Sequence, residues 1–140
     1  MFNKLLIPVD LAHIDQLGRS LKVAAEMAEA HRASLVYVGV TATTPGPVAR
    51  TPQEYHAKLT AFAEEQARLH DRPVSVLVKT ANDPVASLDD LLIEATEESG
   101  ADLVVMATHL PRHLDAIMPS HGGKIAANVA ASVFLVRNAD

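Results

Sequence analysis

The sequence predicts an α/β protein built on a doubly wound, five-stranded parallel sheet, and three observations carry that prediction. Five short apolar runs rich in β-branched residues recur along the chain, helix-length segments separate them, and the order reads β-α-β-α-β-α-β-α-β. Such regular alternation implies parallel strands joined by right-handed crossovers. With 140 residues and no internal repeat or second block of composition, one domain spanning residues 1–140 is expected.

The strand candidates are Leu5 to Val9, Leu35 to Val40, Val74 to Val78, Leu103 to Met106 and Val133 to Val136. They are nearly continuous in apolar character, which is what strands covered by helices on both faces require. Pro8 falls inside the first run and lacks a backbone donor, so it must lie near that strand's end. The first helix is predicted over Ile14 to His31, with Leu17, Leu21, Ala24, Ala25 and Ala28 at three- and four-residue spacing. Thr51-Pro52 opens the second: a capping residue, a proline at the first helical position and Glu54 three residues after the cap precede Tyr55, Leu59, Phe62 and Ala63 along one face. Asp83-Pro84 repeats that start before Leu88, Leu91, Leu92 and Ala95, and Gly100 stops the third helix. Pro119-Ser120 precedes a last helix, expected from Lys124 to Ala130, and the Pro/Gly-containing stretch from Thr41 to Arg50 reads as a surface loop.

Composition excludes several functions. Hydrophobic residues make up 49% and charged residues 21%, proportions of a compact protein and not of a disordered one. The net charge of −5 and the lack of a Lys/Arg-rich stripe argue against a nucleic-acid partner. Without cysteine there can be no disulfide, thiol chemistry or cysteine-bound zinc. The apolar patch around Leu5 is too short for a signal-peptide core or a membrane span, so no membrane partner is expected and the location is expected to be cytoplasmic.

In an open parallel sheet ligands bind beyond the carboxyl ends of the strands, where strand order reverses. The residues just after the strands are Asp10, Thr41, Asn82-Asp83 and Ala107-Thr108-His109-Leu110. Asp10 is an acceptor-only group suited to two vicinal hydroxyl donors, and an Asp after a strand equally serves as a cap or turn residue. Ser120-His121-Gly122-Gly123-Lys124, following Pro119, combines a hydroxyl, two glycines, a cation and helix-start amides, which suits an anion cradle or an ordinary capped helix. Neither a Walker A loop nor G-x-G-x-x-G after the first strand is present. His109 and His113 are four apart with His121 nearby, but Pro111 opposes a helical chelate and H-E-x-x-H is absent, so no metal site is assigned. Ser120 opens a helix with no G-x-S-x-G elbow, which counts against a serine hydrolase. His13, His31, His56 and His70 read as solvated.

Lys4-Leu-Leu-Ile-Pro-Val-Asp10, the Asn82-Asp83-Pro84 turn, Gly100-Ala-Asp-Leu-Val-Val-Met106 and Ser132-Val-Phe-Leu-Val-Arg137, in that order, resemble the universal stress protein family over essentially the whole chain. The resemblance implies a Rossmann-like fold of the adenine nucleotide alpha hydrolase type with strand order 3-2-1-4-5, homodimerisation through the last strand (Val133 to Val136), and ATP or AMP as ligand, with or without Mg2+. It implies that Asp10 meets the ribose, that Pro8, Val9 and Val40 border the adenine, and that Ala107, Thr108 and His109, with Ser120, His121 and Gly122, surround the phosphates. The chain departs from the family's G-x-x-G, nine residues, G-[ST] pattern. Ala107 and Leu110 replace the first two glycines, and Pro119-Ser120 closes the pattern one residue early. The small-[ST]-H-x-P turn of Ala107-Thr108-His109 and Pro111 is similar to another branch of the family.

The resulting expectation is a stress-associated protein that binds nucleotide as a regulatory ligand, with no catalytic residues and at most slow hydrolysis. The alternative is a homodimeric interaction module whose pocket is closed by Leu110 and Pro119. An adenine-nucleotide transfer enzyme would need a phosphate-loop motif near the first strand, which is missing.

Overall fold

The computed structural model orders the chain as β1 (Lys4–Pro8), a 3-10 turn (Leu11–Gln16), α1 (Gly18–His31), β2 (Ser34–Ala42), α2 (Pro52–His70), β3 (Val74–Ala81), α3 (Pro84–Ser99), β4 (Leu103–Thr108), α4 (His121–Asn128) and β5 (Ser132–Arg137). The structure describes residues 1–108 and 121–137. All strand pairings are parallel, in the order β3-β2-β1-β4-β5, so the predicted doubly wound sheet and its strand order are both observed.

Alternating side chains divide the core between the two sheet faces. Leu5, Ile7, Val9, Leu35, Tyr37, Leu103 and Val105 pack with Leu21, Ala24 and Ala28 of α1 and Tyr55, Leu59 and Ala63 of α2. Leu6, Val36, Val38, Val104 and Met106 pack with Leu92 and Ala95 of α3 and Ile125 of α4. The central strand β1 is buried from Leu5 to Ile7, as its continuous apolar run requires.

The helix starts obey their capping signals. Thr51 Oγ1 accepts from the Glu54 amide at 3.1 Å, and the Glu54 carboxylate accepts in turn from the Arg50 amide at 3.3 Å, one residue before the cap. Asp83 accepts from the Ala86 amide at 3.2 Å. Gly100 ends α3 at φ 74, as predicted, whereas α1 and α2 end on the non-glycine residues Arg32 (φ 56) and Asp71 (φ 52).

Most boundaries differ from the predicted ones by one to four residues, β3 running on to Ala81 and β4 to Thr108, and three of the differences bear on the site. α1 begins at Gly18, not Ile14, because His13 at φ −135, ψ 40 breaks the helical path and leaves Ile14 at the surface; periodicity alone counts Ile14 onto the stripe. β2 runs on to Ala42, and the loop after it returns to bury Ala49, with Gly46 N–H donating to the Ala49 carbonyl at 2.9 Å and the Lys58 ammonium to the Val48 carbonyl. α4 spans His121–Asn128, three residues earlier at its start than Lys124 to Ala130, because both glycines lie inside the helix. No helix among the described residues is long and apolar enough to cross a membrane.

Candidate functional site

Because every strand runs the same way, the carboxyl ends of β1 to β5 form one edge, and α4 starts from that edge as well. Its first turn is fixed by Gly122, where a methyl group would lie 2.3 Å from Leu135 Cδ2, and Leu135 pairs with Met106 near the carboxyl end of β4.

The sheet is opened at this edge by one residue. Successive N–H and C=O groups of an extended strand point to opposite sides. Val9 N–H donates to the Val38 carbonyl of β2 at 2.8 Å, while the Lys4 carbonyl accepts from Asp102, which leads into β4, at 3.0 Å. Positions 4, 6 and 8 therefore face β4, and position 8 is a proline with no donor to offer. The β1–β4 ladder stops at Leu6↔Val104, short of the ends of both strands, whereas β1 stays paired with β2 as far as Pro8↔Val38. The unzipped segment is the topological switch point, with Pro8, Val9 and Asp10 on one side and Met106, Ala107 and Thr108 on the other.

Asp10 follows at once. One carboxylate oxygen accepts from the Ala12 amide at 3.0 Å, capping the 3-10 turn, and the other lies 2.8 Å from His13 Nδ1. The carboxylate is 61% exposed, so its remaining lone pairs reach solvent. The hydrogen bond to Asp10 raises the His13 pKa above 6.5, and the charges of Asp10 and then Asp15 act in the same direction. His13, read from sequence as solvated, is exposed yet partnered.

Beneath this turn lies Tyr55 of α2, buried against Gly39 of β2. Burial pushes its phenol up to about 12; the Asp10 charge adds to this, and a backbone interaction with Leu11 opposes it. Sequence reasoning placed Tyr55 on the apolar face of its helix and missed its link to the Asp10 turn. The signal available was Gly39, the one glycine of β2, set between Val38 and Val40.

The other anticipated site residues divide. Pro8 and Val40 lie on the α3/α4 side of the sheet, and Val40 packs on the core there. Val9 is buried on the opposite side, toward α1 and α2, so at most its backbone borders the opening. Ala107 and Thr108, partly exposed, end β4 beside Val136 and Arg137. Gly122 does not open space for a phosphate through its missing side chain, because Leu135 fills that space. The Lys124 ammonium, one turn into α4, pairs with Asp90 of α3 at 3.3 Å and is not directed into a cradle. His109, Ser120, Leu110 and Pro119 lie outside the described residues, and His121 is described only as the first residue of α4. Among the described residues no group of three metal-ligating side chains could hold a metal ion.

These features define a doubly wound α/β protein whose β1–β4 ladder ends early at the switch point. The sequence model of the universal stress protein family matches residues 1–137, and the chain belongs to that family. Among solved structures it resembles a universal stress protein in complex with cAMP (TM-score 0.68, 18% identity, 99% of this chain and 98% of that one). It also resembles the Archaeoglobus fulgidus universal stress protein in complex with dAMP (TM-score 0.64, 18% identity, 95% and 96%). A third is an Arabidopsis thaliana family member with AMP bound (TM-score 0.63, 12% identity, 97% and 91%). No curated protein matches. At these identities the likeness establishes the fold.

Proposed function

We propose that this universal stress protein binds an adenine nucleotide, ATP or AMP, in the crevice between β1 and β4, as a regulatory ligand in a cytoplasmic stress response. The carrying observation is the opening at Pro8, two residues before an exposed carboxylate, Asp10. The residues fit such a ligand. Asp10 keeps acceptor capacity for the two hydroxyls of a ribose after capping its turn, and the small side chain of Ala107 leaves room where β4 ends. Pro8, Val40 and the backbone of Val9 would border the base. Ala107, Thr108, His109, Ser120, His121 and the backbone at Gly122 would hold the phosphates, with or without Mg2+. Complexes of similar folds with cAMP, dAMP and AMP support the ligand class.

The role is binding, with residues 1–140 acting as one domain. The expected experiment is a thermal-shift series with ATP, AMP and cyclic AMP at millimolar concentration. Stabilisation by at least one, lost in Asp10→Ala, supports the reading; no stabilisation by any rejects it.

A second reading has its own observation. The edge strand β5 leaves Phe134 and Leu135 each 42% exposed, beside the buried Val136, and a second copy pairing on this edge would cover them. Dimerisation without nucleotide response would make the protein an interaction module.

A further inference from the structure

The contact between Asp10 and His13 is not needed to cap the turn. The Ala12 amide already does so, and the backbone of His13 closes the same turn separately, donating from its N–H to the Asp10 carbonyl at 3.0 Å. Yet the non-helical conformation of His13 carries its imidazole back onto the carboxylate, at 2.8 Å, beside the point where β1 and β4 separate.

We propose that His13 is a positioning residue of the crevice: it fixes the Asp10 carboxylate for a vicinal diol, so that the site prefers ribose over 2′-deoxyribose. This rests on the nucleotide reading above. An exposed carboxylate at a strand end otherwise turns freely about its side-chain bonds. Among the described residues each oxygen has one protein partner, Ala12 N–H on one and His13 Nδ1 on the other, which leaves each with further acceptor capacity. Two acceptors held in one plane match two adjacent hydroxyl donors. A 2′-deoxy sugar satisfies only one of them and leaves the other oxygen with its protein partner alone, its second acceptor site covered by the ligand and unfilled.

The groups facing the imidazole support this geometry. Asp10 and Asp15, both on its own turn, are the charges that act on it, and the charge of Asp10 is also felt by the buried phenol of Tyr55 on α2. The two carboxylates favour an imidazole that donates to Asp10 over one that swings away.

The test is calorimetric titration of the full chain with AMP and with 2′-deoxy-AMP, in the unmodified protein, His13→Ala and His13→Gln. Loss of one hydrogen bond predicts a preference for AMP of about tenfold in the unmodified protein, falling to about threefold or less in His13→Ala and largely restored by the amide donor of His13→Gln. A merely structural role would change the melting temperature and leave this ratio alone. An unaltered ratio in His13→Ala, with both nucleotides still bound, overturns the proposal and spares the nucleotide reading; binding of neither ligand by the unmodified protein overturns both. A second measurement needs no ligand: the His13 ring, followed by NMR, should titrate above its ordinary value and return toward it in Asp10→Asn. An identical titration in the two proteins shows that the pair does not hold and overturns the proposal by itself.

Discussion

Tyr55 occupies the space that Gly39 leaves: a methyl group on Gly39 would stand 2.5 Å from the ring carbon Cε1 and 2.6 Å from the hydroxyl oxygen. The ring is almost wholly buried and cannot swing into solvent, so Gly39→Ala should destabilise the fold by about 1–3 kcal/mol, the usual cost of overpacking. Chemical denaturation of Gly39→Ala, Tyr55→Leu and the double variant checks this. The double variant should be more stable than the sum of the two single losses predicts.

Asp102 ties the amino edge of the sheet together from the other end of β1. Its carboxylate accepts from the Asn3 amide at 2.9 Å and from the Lys4 amide at 3.1 Å. Burial pushes its pKa up, but the amides of Asn3 and Lys4 and its own amide, with the terminal ammonium, outweigh burial and hold it below 3.8. A carboxyl depressed in the folded state stabilises at pH values above its unfolded pKa, and that contribution is lost as pH falls through the folded value. Asp102→Ala should cost about 1–2 kcal/mol at neutral pH by urea unfolding. The gap to the unmodified protein should narrow below about pH 4, as the unfolded-state carboxyl takes up its proton.

Arg32 and Asp71 terminate α1 and α2 in the left-handed conformation that glycine adopts without penalty. Each replaced by glycine should stabilise the protein by roughly 0.5–1 kcal/mol in thermal or urea unfolding. Asp71→Gly should give the larger gain, since it also removes a negative charge from the negative end of a helix dipole.

Phe134 and Leu135, on opposite faces of the edge strand, are each 42% exposed, although the next residue, Val136, is buried. If a second copy covers this edge, Phe134→Lys should reduce the sedimentation coefficient from dimer to monomer and leave the circular dichroism spectrum intact. A monomeric unmodified protein at micromolar concentration would remove the homodimer from the account.

Much of the fold was legible in the sequence, because strands covered on both faces read as continuous apolar runs and because Thr51-Pro52, Asp83-Pro84 and Gly100 are local signals with local causes. The misplaced ends have causes that are not local. His13 leaves the helical path to meet Asp10, and Gly122 lies inside α4 because Leu135, on a strand formed later in the chain, needs the room. The candidate site was half legible. Asp10 and Pro8 stood out by type and place, whereas the partnership of Tyr55 with the Asp10 turn depends on α2 crossing above Gly39, and the diversion of Lys124 to Asp90 depends on α3 lying beside α4.

The most direct test of the crevice between β1 and β4 is a 15N-HSQC titration of the full chain with AMP. Binding there should shift the backbone amides of Val9 to Ala12, Thr41, Ala107 and Thr108 ahead of those at the opposite edge, such as Asn3, Ser34 and Asp102, and Asp10→Ala should weaken the affinity by about tenfold or more. Saturating AMP that leaves those amides unmoved, or moves them equally in Asp10→Ala, would contradict it.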